Sequence, residues 1–551
     1  MTVRRVAEAI VERLCAHGIR RVFSVAGESY LDVLDALYDA RTAVEVVTCR
    51  HEAAAANMAE ASAKLTGLTG VAFVTRGPGL THASIGVHTA QQDATPMILF
   101  VGEIARADRS RRAFQEVDLA QTFGDLAKGV LRIDQASRAG ELIDRAFQWA
   151  SAGRPGPIVV GLPEDVLGEP CEAAGIAVSP PPSLGIAPGV VEAIAGRLDA
   201  AHRPLVWLGG SGWSPVSVEA VRRFVDVWQA PVVTGFRRKD LFANGHSCYA
   251  GELGFGTPPA LVQRVREADV ILALGAPLGD IETGGYQWLD RAGTGARLLH
   301  VHPDAATLSA LFPTQLAVQA HPGGIAAALA LRGPSHTAPL PWAGWTRSAR
   351  ADQAAFMEPV PVTGAVNLSQ VFRELRAQLP ASAVVANGAG NYAAWLHRFF
   401  SHETYPTQVA PGSGAMGYAV PAAIAAKLAY PDREVVCVAG DGCFLMSCQE
   451  LATAAALGLR VVFLVVNNGS YGTIRMHQEI RFPGRTVATT LVNPDFVALA
   501  KAYGLAASRV TATAEFAAAL AAARAHPGPS LVELVTSVED ISPGRSLHVH
   551  R

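Results

Sequence analysis

Two apolar runs separated by a helix-like segment constrain this chain more than any other feature. Val435–Ala439 is the first run and breaks at Gly440-Asp441-Gly442; Val461–Val466 is the second and ends in Asn467-Asn468. Leu445–Leu457, between them, has the composition of a helix. Short apolar runs on either side of a helix read as a βαβ unit whose parallel strands are buried on both faces. Ligands of such sheets bind beyond the carboxyl ends of the strands. Asp441 and Asn468 fall at that edge. A carboxylate oxygen and an amide oxygen are hard donors suited to Mg²⁺ or Ca²⁺, and two protein ligands leave positions open for phosphate oxygens. Gly440 and Gly442 let the backbone approach a phosphate closely, and the N-terminus of the expected helix favours negative charge.

The rest of the chain alternates in the same way. At 551 residues it exceeds what one core supports, so about three domains are expected. Residues 1–170 alternate helical and strand-like pieces: helices at Val6–His17, Tyr30–Tyr38 and Glu52–Leu65, strands at Val22–Val25, Val44–Thr48, Val71–Thr75 and Ile98–Val101. That pattern gives an α/β domain with a doubly wound parallel sheet. Residues 154–190, which include Pro180-Pro181-Pro182, read as a linker. A central α/β domain follows over 190–332, with strands Leu205–Leu208, Val270–Leu274 and Leu298–Val301, the last closing the series. A second proline-containing linker covers 333–365. The third α/β domain, 366–540, holds the opening βαβ unit and is followed by a tail, 541–551.

Net charge is −2 with 17% charged residues, so no basic excess points to nucleic acid. No stretch is long and apolar enough for a membrane span, and the N-terminal MTVRRVAEAIVERL is an amphipathic helix rather than a signal peptide. Seven scattered cysteines without a Cys-x-x-Cys pair suit a reducing cytoplasm and no zinc site.

Gly440-Asp441-Gly442, residues 443–466, then Asn467-Asn468 resembles the fingerprint of thiamin diphosphate-dependent enzymes. The resemblance implies thiamin diphosphate held by Mg²⁺, with Asp441, Asn468 and the Ser470 carbonyl as metal ligands. Other stretches match the family in order along nearly the whole chain. Arg50-His51-Glu52 opens an alanine-rich helix; by the residues alone Glu52 is a helix cap. By resemblance it is the acid that bonds N1′ of the cofactor's pyrimidine across a subunit boundary, which implies a homodimer or homotetramer with sites at the interface. Gly412–Gly417 resembles the loop under the cofactor, with the Gly414 carbonyl on the 4′-amino group and Met416 propping the two rings. Asn387–Tyr392 resembles the diphosphate turn, with Gly388, Asn391 and Tyr392 as contacts; Gly440, Gly442, Cys443 and Tyr471 complete the cofactor set.

Thr75–Gly79, Gln91–Pro96 and Phe114-Gln115-Glu116 resemble the acetolactate synthase branch, where a Phe-Gln pair lines the substrate pocket. This implies carboligation of small 2-oxo acids with loss of CO₂, with simple decarboxylation or acyloin cleavage, as in benzaldehyde lyase, as the alternative. Gln115 is the second catalytic candidate; Gly27, Glu28, Ser29, Phe114, Thr473 and His477 are the substrate candidates. The chain departs from the biosynthetic branch at four places. His477 stands for a tryptophan, Glu164 for a lysine, Glu28 for a glycine and Pro277 for an arginine of the FAD site. Proline cannot donate the hydrogen bonds of an arginine, so FAD is not expected.

Overall fold

The computed structural model describes residues 3–172, 178, 184–292 and 297–547. Three six-stranded sheets, each wholly parallel and flanked by helices, make three α/β domains. Buried parallel strands need apolar residues on both faces. Val71–Val74, Met97–Glu103 and Val435–Gly440 accordingly have every residue buried.

The first and third sheets share one topology. The first runs Glu45–Thr48, Arg21–Ser24, Gly70–Val74, Met97–Glu103, Pro157–Pro163, Gly129–Arg132. The third runs Gln408–Val409, Val384–Asn387, Val435–Gly440, Val461–Asn467, Ser530–Val535, Ala506–Val510. Numbered along the chain within each domain, both orders are 2-1-3-4-6-5. The central sheet instead runs 3-2-1-4-5-6, the doubly wound order with a switch point between Pro204–Leu208 and Val270–Leu274.

Several sequence expectations are corrected by this architecture. The stretch from 154 is no linker at its start. Pro157–Pro163 is a fully buried strand between Met97–Glu103 and Gly129–Arg132, with one proline at each end, where the ladder tolerates it. Glu164–Leu167 is helical, and Pro170–Glu172 pairs antiparallel with Val3–Arg5. Pro180-Pro181-Pro182 lies outside the described residues. Leu298–His302 does not close the central sheet, because Leu316–Gln319 adds an edge beyond it. The stretch 333–365 contains the helix Ala343–Phe356. Leu445–Leu457 is not one helix but two, Asp441–Leu445 and Leu451–Ala456, separated by a 3₁₀ turn at Cys448–Glu450. The break turns Glu450 toward the first domain.

One apolar core runs through the first and third domains. Helix Glu52–Thr66 packs on Ala419–Ala429, both rich in alanine, so the helices meet closely. Helix Gly77–Gln92 lies on the other side of Glu52–Thr66, and a Cβ on Gly86 would fall 2.4 Å from that of Ala56. At the seam, buried Lys64 bonds Asp93 at 2.5 Å and Glu60 at 3.0 Å, and Tyr418 bonds Glu60. A buried ammonium with two carboxylates is tolerated only with its hydrogen bonds made, and here they are made.

Candidate active site

The βαβ unit delivers what its sequence implies. Strand Val435–Gly440 ends at Asp441 and strand Val461–Asn467 ends beside Asn468. Asp441 is 3% exposed, and burial pushes its carboxyl pKa up, against hydrogen bonds from Asn493 and the N–H groups of Gly442, Gly469 and Ser470. Asn493 donates to Asp441 at 2.7 Å and to Asn467 at 3.0 Å, while its own Oδ1 is buried without a partner. The Asn468 amide oxygen accepts the Ser470 N–H at 3.1 Å. Asp441 and Asn468 therefore both turn toward Ser470. Among the described residues, no lysine or arginine pairs with Asp441. Buried hard oxygen donors lacking a counter-charge fit a divalent cation.

Glycines close this half-site. A Cβ on Gly440 would meet the Tyr392 ring at 2.8 Å, and one on Gly442 the Tyr471 ring at 2.5 Å. The Tyr392 hydroxyl accepts the Gly388 N–H at 3.1 Å and lies 3.6 Å from Cys443 Sγ, which also takes the Gly417 N–H at 3.3 Å. Cys443 thus ties Asn387–Tyr392, Gly412–Gly417 and Gly440–Gly442 together. Gly414, at φ +72°, has open space above it. Met416 is half-buried against the third domain's core. Thr473 bonds Asn391 at 2.8 Å, joining a substrate candidate to a cofactor candidate. His477 is exposed on the same helix, Gly472–Arg481.

The second half-site lies on the first domain. Glu52 is the first residue of Glu52–Thr66 and is 12% exposed at its side chain. His51 caps the helix, its Nδ1 accepting the Ala53 N–H at 3.1 Å; Glu52 itself bonds His82 Nδ1 at 2.9 Å. Three further stretches meet nearby. Gly27 passes so close to Thr75 that a Cβ would fall 2.4 Å from it, and Ser29 Oγ bonds Thr75 Oγ1 at 3.0 Å in the interior. The Gln115 carbonyl accepts the Gly77 N–H at 3.0 Å, and Gln115 holds φ +63°, a strained backbone kept by that contact. Phe114 and Glu28 are 79% and 90% exposed. Arg76 reaches toward Glu28 and Glu164 at 3.9 and 3.6 Å.

Four residues carry weight that the sequence did not signal. Glu450 is fully buried and accepts the N–H groups of Arg50 and His51, at 2.9 and 3.1 Å, directly before Glu52. His82 and Asn493 hold the two key carboxylates. Arg237, from the central domain, donates to the carbonyls of Pro411 and Gly388 beneath the glycine loops. None stands in a recognisable motif. Each acts across a domain seam, from a neighbouring helix or from a separate loop, which only the fold reveals.

A doubly wound enzyme with a buried oxygen-donor cradle for a cation and a phosphate, and a separate helix-borne glutamate, is the class these domains define. Family models describe the pieces: the thiamine pyrophosphate enzyme N-terminal domain matches residues 4–122, the central domain 191–329 and the C-terminal domain 388–534. The acetolactate synthase large subunit of Parasynechococcus marenigrum is 31% identical over 96% of this chain and 87% of its own length. Acetolactate synthase isozyme 2 large subunit of Escherichia coli is 30% identical over 98% and 96%. A third large subunit, from Corynebacterium glutamicum, is 29% identical over 94% and 84%. The chain belongs to the thiamin diphosphate-dependent enzymes, in their acetolactate synthase-like branch.

Proposed function

We propose that the protein joins two small 2-oxo acids, or a 2-oxo acid and an aldehyde, with loss of CO₂. The supporting observation is the pairing of a complete cation–diphosphate cradle with Glu52, a carboxylate whose second oxygen is free of protein partners among the described residues. Thiamin diphosphate supplies the nucleophilic carbon of such chemistry. Asp441, Asn468 and the Ser470 carbonyl would hold Mg²⁺; the Ser470 carbonyl already accepts the Gly472 N–H at 2.8 Å and keeps a second lone pair. Gly388, Asn391, Tyr392, Gly440, Gly442, Cys443 and Tyr471 shape the diphosphate end, and Gly414 with Met416 the ring end.

Glu52 holds a proton at the pyrimidine N1′ of a cofactor bound by the neighbouring subunit's cradle. A homodimer or homotetramer with sites at the interface follows from that role. Gln115, Phe114, Gly27 and Glu28 would then face the substrate from the Glu52 side, with Ser29 held behind them on Thr75, while Thr473 and His477 border the site at this chain's own cradle. Among the described residues no helix is long and apolar enough to cross a membrane, and the cysteines are free.

We infer that the central domain binds no FAD. At its switch point the turns after the first and fourth strands approach closely. A Cβ on Gly210 would fall 2.0 Å from the Gly275 carbonyl, and Trp213 donates to the Gly209 carbonyl at 2.8 Å. Glu282 lies against Gly235 with one carboxyl oxygen buried and unpartnered, and its side chain occupies that edge of the switch point. Pro277 removes a donor there as well.

The decisive experiment incubates the protein, thiamin diphosphate and Mg²⁺ with a panel of 2-oxo acids and aldehydes, reading products by mass spectrometry. CO₂ together with a new C–C bond is the expected result. An aldehyde as sole product would replace carboligation by decarboxylation, and cleavage of added acyloins by lyase activity.

A further inference from the structure

The two oxygens of Glu52 are used differently. Oε2 bonds His82 Nδ1 at 2.9 Å; Oε1 faces the Gly79 turn, 3.5 Å from where a Cβ would be, with no hydrogen-bond partner among the described residues. Left to itself, a glutamate at the start of a helix would sample several rotamers. Here the histidine removes that freedom. His82 comes from a different helix, Gly77–Gln92, so its backbone is placed independently of Glu52, while its half-exposed ring is held between Glu52 and His51. Its ring lies 4.6 Å from that of His51, tilted by 31°. The His51 ring is itself fixed, because its Nδ1 accepts the Ala53 N–H. Burial, and then His82, holds the His51 pKa below its ordinary value, so His51 props the pair without bringing a competing charge.

We propose that His82 is a positioning residue for Glu52: it occupies one carboxylate oxygen so that the other is presented to N1′ of the cofactor pyrimidine. This rests on the reading of Glu52 given above. With the shared proton on the Oε1 side, toward N1′, Oε2 is left to accept, so its histidine partner carries the hydrogen on Nδ1. That bond fixes the plane of the carboxyl group before cofactor arrives, and orientation set in advance is not lost on binding.

The test is a binding comparison on protein stripped of metal and cofactor. Dissociation constants are measured with Mg²⁺ for thiamin diphosphate and for its analogue with C–H in place of N1′. Their ratio reports what the Glu52–N1′ contact contributes. In His82→Leu the ratio should fall about tenfold, the scale of one hydrogen bond to a charged group. In His82→Asn, whose side-chain amide can donate from a similar place, most of the ratio should return. The constant for the analogue should stay the same in all three proteins. A parental ratio in His82→Leu overturns the proposal, and so does equal weakening of both ligands, which is what general loosening produces. If the parent protein itself does not prefer the nitrogen compound, the Glu52 reading fails first and His82 falls with it.

Discussion

Removing the Glu450 carboxylate should disorder the very turn that presents Glu52. Glu450 Oε1 accepts the Arg50 N–H at 2.9 Å and the His51 N–H at 3.1 Å; Oε2 accepts the Thr453 hydroxyl at 2.6 Å. The residue has no exposed surface, and burial pushes its pKa up while those three bonds pull it down. Glu450→Ala leaves two part-buried backbone N–H groups without their acceptor, at about 1–2 kcal/mol each. The expected loss is therefore about 2–4 kcal/mol, concentrated at residues 50–52. Glu450→Gln keeps an oxygen for both N–H groups, so it should cost only about 1 kcal/mol.

Hydrogen exchange followed by mass spectrometry reads this locally, without assuming that a three-domain chain unfolds in one step. Peptides spanning Arg50 and His51 should exchange about 30- to 1,000-fold faster in Glu450→Ala, at 1.4 kcal/mol per factor of ten. Peptides of the central sheet should not change. Turnover should fall about a hundredfold, the scale of a misplaced catalytic group. If Glu450→Ala exchanges at the parental rate around Arg50 and His51, the bonds to Glu450 do not hold the turn, and the argument collapses.

Asp441→Ala removes the only carboxylate of the cation cradle, so the dissociation constant for Mg²⁺ in the presence of thiamin diphosphate should rise about 10- to 100-fold; isothermal titration showing parental affinity would remove Asp441 from the ligand set. Glu282 has its pKa raised by burial to about 7 from an ordinary 4.5. A raised folded-state pKa gives stability that is full below about 4.5 and lost as pH rises through about 7, roughly 3 kcal/mol in all. Glu282→Gln should therefore flatten the fall of apparent Tm between pH 5 and 8, and an unchanged slope would show that Glu282 is ionised throughout. His477→Trp adds apolar surface where the biosynthetic branch has it, and should raise the preference for 2-oxobutyrate over pyruvate as acceptor by about tenfold; competition assays giving the parental product ratio would place His477 outside the pocket.

What the sequence revealed followed from residue type and local order. Buried parallel strands demand continuous apolar runs, so Val435–Gly440, Val461–Asn467 and Val270–Leu274 stood out within a residue or so. Proline misled the reading at Pro157–Pro163, because it signals a linker by composition and a strand end by position. The composition of Leu445–Leu457 is helical throughout, but composition does not register the tertiary demand that breaks it. At Ser447 the chain leaves helical geometry so that Glu450 can reach Arg50 and His51. The partners of Asp441 and Glu52 were invisible for a related reason. Asn493 and His82 lie 52 and 30 residues away in sequence, and no periodicity links residues that meet only through the fold.

The central domain reaches the candidate site through two buried cations. Arg237 adopts φ +60°, its backbone N–H held by Glu252 at 2.7 Å, and its guanidinium enters the third domain beneath Gly388 and Pro411. Burial lowers its pKa. Lys239, two residues on, donates to the carbonyls of His397 and Phe400 at 2.5 and 2.6 Å, with its pKa brought down to about 8 by burial. His397 in turn meets Glu252 at 3.2 Å. Buried cations are costly unless every donor finds an acceptor, and most of these find loop and helix-end carbonyls of the third domain. Those carbonyls belong to the turn before the Gly412–Gly417 loop, to the diphosphate turn and to the helix after it. A purely apolar seam would allow small sliding of one domain over the other. Directional bonds from Arg237 and Lys239 oppose such sliding, so the glycine loops of the third domain are braced from below by the central domain.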